Sequence, residues 1–369
     1  MPVNRSFVTC RATSGNAAAT VVSGGTEPSV SATIRQMLTN SYLSSCLSSI
    51  RPFVRRRRVN MVPSVLCARL LAVVAVSVFL TPAFAQSSSR TERNVVYGMY
   101  SGLSLLMDVH YPLKANGRGV IFIAGSAFYA QLGYADTPLK DTRQVHMYAK
   151  PLLEAGYTVF AINHRDPPRF RHPAAVDDSQ RAVRFIRHHA REFGIDPQKI
   201  GAAGGSSGGY LVAMLGVLDG TGDPDDPDAV NRESSKVQCV VARAAPVDFI
   251  NLVRNRAVFV DYMGMRVEVA GRLLPPTSAE YKAYRQASAL HHVSKHAPPF
   301  LLIHGDADEL VAFKHSEAME QALKEAGAIT KLLRIPGGGH GPDFPGAQNP
   351  PDYFAEMVRW FDRHLRGVN

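Results

Sequence analysis

The chain has 369 residues, of which 46% are hydrophobic and 20% charged, with a formal net charge of +10. That balance supports a folded core and excludes a disordered or fibrous chain, and at ~150 residues per domain the length leaves room for two or three domains. The excess base is local: residues 1–85 hold nine arginines, no lysine and the single acid Glu27, while the remainder is close to neutral, so the charge lends no support to a nucleic-acid partner.

The basic group Arg55, Arg56, Arg57 and Arg58 precedes an apolar run over residues 70–80, and Ala83-Phe84-Ala85 supplies the small-residue cleavage pattern. Residues 61–85 therefore read as a signal peptide cleaved before Gln86, which predicts a periplasmic or secreted mature protein with no stable membrane insertion. The run is short for ~30 Å of hydrocarbon, and no other apolar stretch suggests a polytopic membrane protein. Residues 1–60 form an extension that a translation start at Met61 would remove. Their Arg-rich, Ser-rich and acid-poor composition leaves an organellar transit peptide as the competing reading. Three of the four cysteines, Cys10, Cys46 and Cys67, lie in this leader, so the mature chain keeps Cys239 alone and forms no internal disulfide.

Beyond the leader, residues 86–369 read as one domain in which apolar strands alternate with helices. Residues 103–111, 120–123 and 157–163 read as strands, followed by an amphipathic helix over 174–193. The cycle repeats with a strand at 199–203, a helix at 207–218 and a strand at 237–244. Strands at 300–304 and 330–335, with helices at 314–326 and 352–365, complete the series. Nearly continuous apolar strands separated by helices predict an α/β fold, a mostly parallel sheet covered on both faces. Residues 247–297 are too long for a connection and are expected to form a small helical lid insertion at one end of the sheet.

The chemistry-bearing motif is Gly205-Ser206-Ser207-Gly208-Gly209, read as G-x-S-x-G between the 199–203 strand and the following helix. In that frame Gly205 and Gly209 flank Ser207 two residues to either side, so Ser207 rather than Ser206 is taken as the nucleophile. Gly208 then offers a backbone N–H to a developing oxyanion at the helix N-terminus. A serine hydroxyl needs a general base, and the base an orienting carboxylate. His340, in the glycine-rich segment 337–341, supplies the base. Asp306 and Asp308, just after the buried strand 300–304, each qualify as the carboxylate.

Together with segments 96–98, 105–111, 163–165, 173–178, 297–311 and 336–341, these motifs resemble the esterase and lipase branch of the alpha/beta-hydrolases. The match is nearest to the feruloyl and acetylxylan esterase-like (BD-FAE-like) group and covers residues from about 94 to the C-terminus. The resemblance implies an alpha/beta-hydrolase fold and a catalytic triad of Ser207, Asp308 and His340, the acid being the second carboxylate of the G-D-x-D segment. It also implies hydrolysis of short acyl or aromatic esters, including acetyl or feruloyl esters of polysaccharides, with no cofactor. A lipase, an amidase or peptidase on the same triad, and a noncatalytic binding protein of this fold remain the alternatives. The chain departs from its relatives where they carry His-Gly-Gly-Gly: here the segment is Ala124-Gly125-Ser126-Ala127-Phe128, so Ser126 and Ala127 must serve as oxyanion donors through their N–H groups.

Phe128, Tyr129, Phe249, Phe259, Tyr262 and Met263 are candidate pocket residues, with packing of the insertion as the competing role. His292 and His296 lack a third ligand for a metal, and the acidic run 223–228 lacks the glycine and terminal glutamate of a calcium loop. Asp177 and Asp178 open a helix where the dipole favours them. No metal is expected.

Overall fold

The computed structural model describes residues 90–130, 133–253 and 256–368; the signal peptide, its cleavage site and the 1–60 extension expected above lie outside them. Strand β3 (Gly119–Ile123) shows how the layers arise. Its side chains alternate between faces, so Val120 and Phe122 join one apolar cluster while Ile121 and Ile123 join the other. All five residues are buried, as a central strand covered on both faces requires.

The same logic extends over β1 (Arg90–Tyr100), β2 (Leu103–Tyr111), β4 (Thr158–Ile162), β5 (Ile200–Gly205) and β6 (Cys239–Arg243). With β9 (Phe300–Gly305) and β10 (Thr330–Ile335) they form an eight-stranded sheet in the order β1-β2-β4-β3-β5-β6-β9-β10. Only β2 runs against its neighbours; every other pairing is parallel. One face is covered by α1 (Arg143–Glu154) and α7 (Tyr353–Phe361), the other by α2 (Ala174–His188), α3 (Ser207–Val217) and α6 (Lys314–Glu325). This is the alpha/beta-hydrolase architecture that the resemblance implied. Cys239 is fully buried on β6, and burial pushes its thiol well up.

All eleven residues of α3 are buried, so this helix has no solvent face and runs through the core beneath the sheet's carboxyl end. Two elements are absent from the sequence reading, the edge strand β1 and helix α1. Pro151 lies inside α1 and interrupts its sequence signal, but it sits near the carboxyl end, where one missing N–H costs little of the helix.

Residues 247–297 are less uniformly helical than expected. They hold α4 (Ala257–Met263), a two-stranded hairpin of β7 (Glu268–Val269) and β8 (Arg272–Leu273), and α5 (Ala279–Ala287). Phe249, Phe259, Tyr262 and Met263 from this segment pack with Phe128 and Tyr210 into the α3 face of the core. Among the described residues no helix is long and apolar enough to cross a membrane.

Candidate active site

Between β5 and α3 stands a single residue, Ser206, with φ 55° and ψ −124°. A residue with a Cβ rarely adopts this conformation, at a cost of ~1–3 kcal/mol. The surroundings hold it there: its N–H donates to the Arg243 carbonyl (2.8 Å), and its carbonyl accepts from Tyr210 N–H (2.9 Å). The glycines two residues away on either side, Gly204 and Gly208, allow the reversal. A Cβ on Gly204 would meet the Gly208 carbonyl, and one on Gly208 would run into the Ile123 carbonyl.

His340 places Nε2 2.9 Å from the Ser206 hydroxyl and Nδ1 2.7 Å from the Asp308 carboxylate. Because Nδ1 faces a carboxylate, it carries the proton, and Nε2 is left to accept from Ser206. Asp308 lies at the carboxyl end of β9, where its other oxygen accepts from the N–H groups of Leu310 (2.9 Å) and Val311 (2.8 Å). Burial alone would raise its carboxyl. Hydrogen bonds from His304, His340 and Val311 outweigh that and hold it well below the usual carboxylate range.

The structure thus brings His340 against Ser206, not against Ser207. Ser207 is the first residue of α3, buried, and its hydroxyl accepts from Ser126 N–H at 2.9 Å. Gly204-Gly205-Ser206-Ser207-Gly208-Gly209 contains two overlapping G-x-S-x-G frames, and the expected assignment took the second. The signal that separates them is the helix start: the elbow residue precedes the first helical residue, and helix began at 207 in both readings. The shift moves the oxyanion position too. The N–H that follows the elbow serine belongs to Ser207, whereas Gly208 serves by lacking a side chain.

Asp306 is held elsewhere, bridging Arg334 Nε (2.6 Å) and Gly337 N–H (2.7 Å) at the sheet's edge. His304 was not anticipated. It is buried on β9 with Nε2 facing only acceptors, the Val311 carbonyl (2.9 Å) and Asp308 (3.3 Å), so it donates to the carboxylate from behind while Nδ1 accepts from Ser316 (2.7 Å). Its position four residues before Asp308 was the available clue.

The loop after β3 carries Ala127 and Phe128 at φ 52° and 70°, closed by Tyr129 N–H to the Ser126 carbonyl at 3.1 Å. Gly125 is the one glycine retained there, and a Cβ on it would strike the Gly205 carbonyl and crowd Ser206. Gln144 of α1 pins this loop by accepting Gly125 N–H at 2.5 Å. The N–H groups of Ala127 and Ser207 have no partner among the described residues.

A cavity of about 520 Å³ opens above Ser206 and His340 and is lined by Phe128 and Phe259 among others. Four of the expected pocket residues lie elsewhere, Phe249 and Met263 being buried in the core. Tyr262 is fully buried in the core, stacked on Phe128 at 4.0 Å between ring centroids. The Tyr129 hydroxyl turns to donate to Asp261 (2.6 Å), a bond that raises its phenol to about 12.

The BD-FAE family model matches residues 107–323, more than half of the chain and a span that includes Ser206 and Asp308. The chain belongs to the BD-FAE family. The BD-FAE match stops short of His340, so the geometry above is what joins that residue to the other two. Among similar proteins, a probable carboxylic ester hydrolase of Mycobacterium tuberculosis, LipM, is 30% identical over 182 residues, covering 49% of this chain and 41% of LipM. Esterase LipC of the same organism is 28% identical over 238 residues, covering 63% of this chain and 55% of LipC. The chain spans about half the length of the curated relatives it matches. A solved truncated carbohydrate esterase from gut microbiota superposes with a TM-score of 0.63 at 27% identity, covering 76% of this chain and 98% of that one.

Proposed function

We propose that this BD-FAE protein is a serine esterase in which Ser206 is the nucleophile. The observation that carries the reading is the hydrogen-bonded series Ser206–His340–Asp308 on a strained elbow at the end of β5. His340 Nε2 takes the Ser206 proton as Oγ bonds to the ester carbonyl carbon, and Asp308 stabilises the imidazolium that forms. The tetrahedral oxyanion is met by the free N–H groups of Ser207 and Ala127. Collapse expels the alcohol, which receives the proton from His340. Water, deprotonated by the same imidazole, then releases the acid from the acyl-serine. The names of the similar proteins support a carboxylic ester, including one on a carbohydrate, as the substrate class. Export through the signal peptide read in the leader belongs to the same proposal.

The test is turnover of nitrophenyl esters from acetate to palmitate, with a fluorophosphonate probe mapped by mass spectrometry. Label on Ser206 with measurable turnover supports the reading; an intact fold that is never labelled refutes it. Asp308→Asn should lower kcat about 10⁴-fold, because the amide favours the wrong imidazole tautomer, whereas Asp306→Asn should cost less than about tenfold. The reverse ranking would remove Asp308 from the triad.

A further inference from the structure

The cavity over Ser206 is apolar on one side, where Phe128, Val258 and Phe259 line it, yet three arginines, Arg143, Arg243 and Arg256, line it as well. Their carboxylate partners are few. Among the described residues neither Arg243 nor Arg256 has an ion pair, and Arg143 has only Asp343, at 3.2 Å with both side chains largely in solvent. Such an exposed pair holds weakly and yields to a competing anion. Arg243 is 2% exposed, its Nη1 donates to the Gly341 carbonyl at 2.7 Å, and its Nε has no partner. Arg256 Nη1 is satisfied by the Leu310 carbonyl, leaving its charge uncompensated. Asp308, which His340 links to the reacting serine, is already committed to His340 and His304.

A buried guanidinium with no counter-ion and two more at the cavity's open side make a positive field in a half-apolar space, which raises the local concentration of anions. We infer that this site selects esters carrying a carboxylate within one cavity's reach of the scissile carbonyl, such as an acyl group on an aromatic or sugar acid; this rests on the esterase reading above. Arginine suits the role, since its planar fork meets a carboxylate with two parallel hydrogen bonds. The apolar wall accepts the acyl or aromatic part, so charge and hydrophobic contact act on opposite ends of one small substrate.

The experiment compares 3-acetoxybenzoate with its methyl ester, each rate divided by that ester's own hydroxide-catalysed hydrolysis to remove intrinsic reactivity. At low salt the anionic ester should have the higher kcat/KM by about tenfold, and added salt should shrink the ratio. In Arg143→Met/Arg256→Met the ratio should fall by about threefold or more, Arg243 supplying what remains. Arg256→Met alone, at an exposed position, keeps the test readable if the double variant does not fold. Equal or reversed preference in the wild type, or a ratio that both substitutions leave unchanged, overturns the inference. Binding of the two esters to Ser206→Ala by calorimetry separates this from the esterase reading. If nothing is turned over but the anion still binds more tightly, the charge selection stands and the esterase reading falls; if the esters bind equally, the selection falls even where turnover is brisk.

Discussion

Two tight turns meet at the carboxyl end of the sheet, the elbow after β5 and the loop after β3, and they use glycine differently. In the elbow the residue with positive φ is a serine, and the glycines Gly204 and Gly208 stand where a Cβ would hit backbone. In the β3 loop the positive-φ positions are Ala127 and Phe128, and only Gly125, which touches the elbow itself, has no alternative. Glycine is therefore held by close approach of two backbone segments rather than by dihedral angle alone. A left-handed alanine costs ~1–2 kcal/mol, a cost the fold can absorb, whereas a Cβ inside a backbone carbonyl must move a strand. The missing glycines of the oxyanion segment are thus compatible with a formed loop.

The largest effect that could break this comparison lies at the elbow serines. Ser206→Ala should lower kcat at least about 10⁴-fold and abolish fluorophosphonate labelling, while Ser207→Ala should stay labelled at a rate within about tenfold of the wild type. If Ser207 were the residue labelled, the elbow would be one residue later than the structure places it. Next in size, Gly208→Ala should destabilise by ~3 kcal/mol or more, read by urea unfolding, because the clash is with the Ile123 carbonyl. Ala127→Gly should do the opposite and stabilise by up to ~1 kcal/mol, since it relieves a left-handed alanine. A loss at both positions would mean that dihedral angle and contact are not separable here.

Gln144→Ala probes the strut between the turns. Freed from its 2.5 Å bond to Gly125 N–H, the β3 loop should lose register with Ser206, with kcat falling about tenfold and KM changing less. The smallest effect is that of pH on stability. Burial lowers His172 and His315 to about 4, so both are neutral in the fold but take up protons in the unfolded chain below ~6.5. Unfolding free energy should accordingly be full above pH ~6.5 and decline as pH falls toward about 4, and His315→Asn should flatten that slope. Neither histidine belongs to the two turns, so activity and stability should follow different pH curves.

The parallel core was legible because β3, β4, β6 and β9 are apolar on both faces and strongly periodic in their spacing with the helices. Edge strand β1 was not, since one side of it faces solvent and its burial pattern is mixed. Helix α1 hid behind Pro151, and with it went Gln144 and Arg143, whose roles depend on where α1 lands rather than on any motif. At the site, His340 could be read from loop composition and from the order of residues along the chain, whereas Asp306 and Asp308 stood level there and only the family resemblance favoured the second. Ser206 could not be separated from Ser207 by the motif alone, because six residues of near-palindromic sequence offer two frames; the expected helix start at 207 was the signal that chooses between them. Arg243 gave no local sign: an arginine ending an apolar strand reads as a solvent cap, yet it is buried beneath the His340 loop.

Helix α3, which has no solvent face, carries a consequence for how this molecule opens. Its amide protons are shielded by core on every side, so they can exchange with solvent only when the whole sheet comes apart. Residues 268–273, the two-stranded hairpin, include no buried side chain. Deuterium uptake should therefore divide the chain by timescale, fast in that segment and at the global limit in α3. Ser206 would then stand directly before the slowest-opening helix of the molecule, while the hairpin that follows α4 belongs to the fastest part.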